Sequence, residues 1–138
     1  MIYITRKEHF SAAHRLFNPE WPTEKNFEVY GKCSNPNWHG HNYELWVTVK
    51  GELDPALGYL VDLKTLSAII RKYIIEKTDH KNLNLEVSFM QGKIISTENL
   101  AIAIWEEIEP HIKKLNVFLH SVKIKETDNN FAEYLGEQ

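Results

Sequence analysis

From His39 to Val49 every second residue falls into one series: His39, His41, Tyr43, Leu45, Val47 and Val49. A period of two is that of a β-strand, whose successive side chains leave opposite faces. One face of this strand carries four apolar or aromatic groups that need a cover, and it begins with two imidazoles. Side chains two apart on a strand stand about 6–7 Å from one another. Two ring nitrogens at that spacing can converge on one zinc ion at about 2.0–2.1 Å. Gly40 between them leaves room for another backbone or a ligand. Any fold for this chain must therefore contain a sheet with one covered face and a histidine-lined end. A His-x-His pair alone is weak evidence for a metal, since such pairs are common on surfaces.

Residues 2–14 alternate as well, and Phe10, Ala12 and His14 share a face. Taken alone, His14 reads as a half-buried histidine bonded to a backbone carbonyl. Set beside His39 and His41 it completes three imidazoles, and three histidines with no obvious fourth protein ligand describe an open, catalytic zinc site. Cys33 admits three readings. As a fourth ligand it would close the site and make it structural. As a thiolate favoured by the cation it would be a proton-transfer group. It can also be a lone buried thiol.

The remaining pattern gives an α+β chain. A polar, Pro-containing stretch from about Asn18 to Asn37 reads as a long loop, and long loops in compact domains tend to carry function. Asp54-Pro55 marks a turn. Asp62 is placed as an N-cap, with Leu63, Leu66, Ile69, Ile70, Tyr73 and Ile74 at helical spacing to about Lys77. A second helix starts at Ser96 or Thr97, buries Leu100, Ala103, Ile104 and Ile108, and is kinked or ended by Pro110. Residues 118–126 alternate with His120, Val122, Ile124 and Glu126 on one face, and residues 131–135 return as a last strand. The order ββααββ predicts a four-stranded antiparallel sheet with two helices on one face, in a single domain over residues 1–138.

Composition narrows the function classes. Sixteen Lys and Arg against nineteen Asp and Glu give a net charge of −3, and no basic run is present. A nucleic-acid partner is not expected. Neither a secretory leader nor an apolar span of about 20 residues is visible, so no membrane partner is expected. One cysteine cannot form an internal disulfide, which fits the reducing cytoplasm.

Five stretches then carry a resemblance. They are Phe10-Ser11-Ala12-Ala13-His14-Arg15, Tyr30-Gly31-Lys32-Cys33 followed after five residues by His39-Gly40-His41-Asn42-Tyr43, Asp79-His80-Lys81-Asn82-Leu83, Ser96-Thr97-Glu98-Asn99, and Lys125-Glu126-Thr127-Asp128-Asn129-Asn130. In this order the chain resembles, from about Thr5 to Gly136, the 6-pyruvoyl-tetrahydropterin synthases and their relatives, the 6-carboxy-tetrahydropterin synthases of queuosine and deazapurine biosynthesis. The resemblance implies the tunnelling fold (T-fold), in which trimers close a strand barrel and two trimers stack into a homo-hexamer. It implies zinc on His14, His39 and His41, Cys33 as general base, and Asp79 with His80 as a proton relay supplied across a subunit interface. Glu126 would anchor the pterin, with Thr97 and Ser96 lining the same pocket.

The implied substrate is 7,8-dihydroneopterin triphosphate, with Mg2+ as a companion of the triphosphate. In the pyruvoyl branch triphosphate leaves and the side chain undergoes internal redox tautomerisation, a carbon–oxygen lyase reaction. In the carboxy branch the side chain is cleaved. The five-residue gap between Cys33 and His39 resembles the pyruvoyl branch. A zinc-stabilised pterin-binding protein without turnover is the non-enzymatic alternative. Independently of the resemblance, Glu126 extends the apolar row of Val122 and Ile124, where a carboxylate needs a partner. Two parallel N–H donors on a pterin edge match its two oxygens. Trp38 is bulky for its place before His39, Arg15 and Lys32 are assigned to the surface, and His9, His111 and His120 are read as ordinary.

Overall fold

The protein is described here from a computed structural model covering residues 1–136. Strand β1 (Ile2–His14) is followed by helix α1 (Thr23–Tyr30), a 3-10 turn (Gly31–Ser34) and β2 (His39–Gly51). Helix α2 (Leu63–Ile70) runs on through a π-helical turn (Arg71–Ile75) and a last α turn, α3 (Glu76–Thr78). Then come β3 (Lys81–Asn82), a 3-10 turn (Ser88–Met90), α4 (Thr97–Lys113), β4 (Phe118–Thr127) and β5 (Asn130–Tyr134). The strands form one sheet in the order β3-β1-β2-β4-β5. Neighbours are antiparallel except for β3, whose two residues pair in parallel with Ala12 and Ala13.

The alternation of β1 and β2 fixes both register and core. Phe10 lies opposite Tyr43, Ala12 opposite His41 and His14 opposite His39. Phe10 and Tyr43 are stacked with ring centroids 5.0 Å apart. Below them Leu45, Val47 and Val49 are fully buried, against Leu66, Ile70 and Ile74 of the α2 region and Leu100, Ala103, Ile104 and Ile108 of α4. Full burial of one such aliphatic side chain contributes about 1.5–3 kcal/mol. A single Ile104→Ala change would cost about 2–5 kcal/mol. Asp62 caps α2 by accepting from the Lys64 N–H at 2.8 Å, and Ser96 caps α4 by accepting from Asn99 N–H at 3.1 Å.

Five expectations are corrected. The sheet has a fifth strand: two residues of β3 at the β1 edge are too short to register as a periodic pattern. The stretch between Asn18 and Asn37 holds α1 and a 3-10 turn, organised by the buried Asn26. The Asn26 side-chain oxygen accepts from Asn18 N–H at 2.7 Å, and its amide donates to the carbonyls of Asn18 and Trp21 at 3.0 and 3.2 Å. Leu63, at the first turn of α2, is 48% exposed, because the capping residue beside it faces solvent. Pro110 does not end α4, which continues to Lys113 while fully buried Ile112 holds its last turn against the core. Finally, a bulge where Thr48 pairs with Ser121 and Val49 with Leu119 turns His120 off the core face. Leu119 is buried in its place, and the His120 ring meets Tyr3 edge-on at 4.7 Å.

Candidate active site

The site forms where β1 and β2 begin to leave the core. Register places His14 beside His39, with His41 two residues further along the same face. The three ring centroids are 4.5 Å (His14–His39), 5.1 Å (His14–His41) and 5.0 Å (His39–His41) apart. One ligand nitrogen from each ring lies within 4.8 Å of the other two. The Nε2 of His14, Nδ1 of His39 and Nε2 of His41 are buried and have no hydrogen-bond partner. Leaving a buried polar atom unpaired costs about 1–3 kcal/mol. Three such atoms aimed at one point are what an absent cation would satisfy.

The proton inventory agrees. His14 Nδ1 bonds the Ile95 carbonyl at 3.0 Å, which makes Nδ1 the protonated nitrogen and leaves Nε2 as a lone pair. Burial pushes His14 down to about 4; the Ile95 bond opposes this and the neighbouring rings reinforce it. His39 is also lowered, by burial first and then by His41. Metal-binding imidazoles must be neutral, and these two are held neutral before any metal arrives. The donor set therefore fits a divalent transition metal. Gly40 has a smaller part than its position suggested: a Cβ there would meet only the Ala12 carbonyl at 3.5 Å, an ordinary contact.

Glu126 of β4 reaches the same cluster. One oxygen is 3.4 Å from His41 Nε2, and the other accepts a short hydrogen bond from the Thr97 hydroxyl at the start of α4. Both His41 and Glu126 are less than one-fifth exposed. Tyr43 underlies the rings, 1% exposed, and burial followed by the Glu126 charge holds its phenol well above the ordinary range. Thr97 and Glu126 are thus in contact, while the Ser96 hydroxyl is engaged in capping α4.

Cys33 is an exposed thiol in the Gly31–Ser34 turn and does not belong to the convergent donor group. Neither the fourth-ligand reading nor the buried-thiol reading matches that placement. The turn is anchored to the end of β1: Leu16 N–H donates to the Cys33 carbonyl at 2.7 Å, and the Arg15 guanidinium donates to the Ser34 carbonyl at 2.9 and 3.2 Å. Arg15 is half-buried rather than a surface residue, because two donors and a ring contact with Phe17 (4.0 Å) retain it. Lys32 is exposed.

Asp79 and His80 occupy the outer edge of β1, after the π turn and α3. Asp79 Oδ1 accepts from Ser11 N–H at 2.9 Å, and Oδ2 lies 3.0 Å from His80 Nδ1. The Ser11 bond is the main cause holding the Asp79 carboxyl below its ordinary range, and the His80 bond adds to it. His80 adopts a left-handed backbone (φ 61°), which its N–H bond of 2.6 Å to the Ser11 carbonyl helps to hold. Its side chain is 84% exposed. A cleft of about 500 Å3 beside it is bordered by Ser11, Gly40 and Asn42, residues that alternate with the ring-bearing positions. The pair therefore stands apart from the three rings of its own chain. Of the other histidines, His111 stacks on Tyr73 at 3.6 Å on the helical side.

Sequence reasoning did not single out the Ile95 carbonyl, which sets the His14 tautomer, nor Asn84. Asn84 brackets Arg15, accepting from its N–H at 3.0 Å and donating to its carbonyl at 3.1 Å. A backbone carbonyl leaves no mark in a sequence, and an asparagine 69 positions away gives no local pattern.

Known proteins now bear on this geometry. The sequence profile described as 6-pyruvoyl tetrahydropterin synthase matches residues 3–137. The chain belongs to this family. Human 6-pyruvoyl tetrahydrobiopterin synthase is 43% identical over 135 residues, covering 97% of this chain and 91% of that one. The structure of Caenorhabditis elegans 6-pyruvoyl tetrahydropterin synthase superposes with a TM-score of 0.92 at 35% identity, over 99% of this chain and 96% of that one. The 6-carboxy-5,6,7,8-tetrahydropterin synthase of Rickettsia typhi is 30% identical, covering 96% of this chain and 99% of its own. The family, and the α+β fold shared with the C. elegans enzyme, are those that the five sequence stretches implied.

Proposed function

We propose that the protein is a zinc-dependent 6-pyruvoyl-tetrahydropterin synthase acting on 7,8-dihydroneopterin triphosphate. The observation that carries this reading is the convergence of three buried, unpartnered ring nitrogens with the Glu126 carboxylate beside them. Similarity to the pyruvoyl relatives exceeds that to the carboxy relative, 43% against 30%, which favours the pyruvoyl reaction.

In this reading His14, His39 and His41 hold the zinc, which when bound supplies Lewis acidity to the oxygens of the substrate side chain. Glu126 receives the pterin's parallel N–H donors, with its second oxygen already oriented by Thr97. Ser96 borders the same pocket through its capping position. Cys33, as thiolate, removes a proton from a side-chain carbon. His80, with Nδ1 held by Asp79, exposes its other nitrogen to exchange a proton with a substrate oxygen. Because Asp79 and His80 lie at a sheet edge away from their own ring cluster, they serve the site of a neighbouring copy. The free edge of β1 supports assembly through strand edges, as a hexamer of two trimers. Mg2+ would accompany the triphosphate and not the three rings. In the described residues no helix is long and apolar enough to cross a membrane, and we place the protein in the cytoplasm.

The test is incubation of the zinc-loaded protein with 7,8-dihydroneopterin triphosphate, with products read by mass spectrometry. Release of inorganic triphosphate with a 6-pyruvoyl product supports the proposal. A 6-carboxy product with acetaldehyde moves the protein to the other branch, and recovery of unchanged substrate leaves a binding protein.

A further inference from the structure

We infer that Arg15 is a positioning residue that fixes the Cys33 thiol relative to the metal ligands of its own chain. The inference rests on the reading of Cys33 as the general base. Arg15 directly follows His14, and the anchors of this short segment lie in three distant parts of the chain. Its backbone N–H and carbonyl are both taken by the Asn84 side chain, at 3.0 and 3.1 Å. Its guanidinium gives two N–H donors to one acceptor, the carbonyl of Ser34, which is the residue after Cys33. The next N–H, that of Leu16, goes to the carbonyl of Cys33 itself.

The guanidinium plane is held by rings on the same side. Phe17 lies 4.0 Å from its central carbon and Trp38 lies 5.7 Å away. Trp38 precedes the ligand His39 and has a left-handed backbone (φ 67°), so its ring placement is itself constrained. Arg15 thus meets a segment adjoining each of two ligands and the turn carrying the thiol. The thiol is exposed and sits in a four-residue 3-10 turn without packing of its own. Without the guanidinium, the Leu16 bond alone would tie that turn to β1 among the hydrogen bonds described here. A base that must meet a substrate C–H at a fixed distance loses rate steeply when displaced: about 1 Å can cost a hundredfold.

Two of the guanidinium donors already point at protein, so this role differs from capture of the triphosphate. The two roles separate kinetically. Positioning predicts that Arg15→Met lowers kcat by roughly ten- to a hundredfold with KM unchanged. Loss of a phosphate contact predicts a raised KM.

The closing experiment is a double-mutant cycle on the zinc-loaded protein with Arg15→Met and Cys33→Ala, reading kcat, KM, zinc per chain and amide exchange at Leu16. In the parent background Arg15→Met should lower kcat, keep zinc, and speed exchange at Leu16. In the Cys33→Ala background it should change kcat by no more than about twofold, since there is no thiol left to position. An equal loss in both backgrounds, or a raised KM at parental kcat, overturns the inference. Failure of the underlying reading looks different: Cys33→Ala alone would then keep parental turnover. Should Arg15→Met not fold, Arg15→Lys keeps the charge and one donor. It should then show the intermediate kcat at parental KM and zinc content, and parental kcat in that variant also overturns the inference.

Discussion

The two histidine-bearing ends of β1 were placed by opposite means. His14, His39 and His41 are brought together by strand register, are half-buried or buried, and present their free nitrogens to one another. Asp79 and His80 sit across the strand edge, held by a helix terminus and two bonds to Ser11, with the imidazole almost fully exposed. The first group is finished within one chain. The second is oriented but has nothing of its own chain to act on. Binding a cation needs only a fixed set of lone pairs, whereas a proton relay needs a substrate, and here that substrate belongs to a neighbour's site.

The difference can be broken most directly at the rings. His41→Ala should abolish both zinc binding and turnover, as metal analysis beside an activity assay would show; a variant that keeps one zinc per chain would remove His41 from the ligand set. Next in size, Cys33→Ala should keep zinc and lower turnover by about 10²–10⁴-fold. Loss of zinc with the thiol would return Cys33 to the ligands.

Glu126→Gln probes recognition at the ring end. An amide facing the pterin's donors replaces one acceptor by a donor, at a cost of about 2–4 kcal/mol. Binding of 7,8-dihydroneopterin triphosphate, measured by calorimetry, should weaken roughly 30- to 1,000-fold, with zinc unchanged. Parental affinity would put the pterin elsewhere.

At the edge, the effect should be smaller and should appear in acid. The Asp79 carboxyl is lowered in the folded protein, so its stabilisation is present above the unfolded value of about 4 and lost as pH falls through the folded value. Asp79→Asn should therefore narrow the difference in melting temperature between pH 6 and pH 3. An unchanged difference would mean that the Ser11 bond does not favour the charged form.

This contrast also explains what could be read from the sequence. The ring cluster was legible because alternation and register are written into residues 2–14 and 39–49, and the apolar rows predicted the core and both main helices. The Glu126 partnership followed from the same logic. The displacement of His120 did not, since a bulge breaks the period without changing composition. Neither did α1, which turns on one buried asparagine bonding backbone groups rather than on an apolar stripe. Asp79 and His80 drew attention only through resemblance: adjacent polar residues after a helix usually terminate it, and their orientation depends on an edge contact 68 positions away.

The π turn at Arg71–Ile75 carries a consequence for how this chain can change length. A π turn holds one more residue than the α turn it replaces, and the Asp79 N–H bonds the Ile75 carbonyl at its end. Removing a single residue there would regularise the helix, yet it would swing all that follows by about 100°. The Thr78 hydroxyl, which bonds the Ile74 carbonyl at 2.8 Å, and the carboxylate after it would leave their partners together. Insertions and deletions in this helix are thus constrained by the far end of the site, although no residue of the π turn touches it.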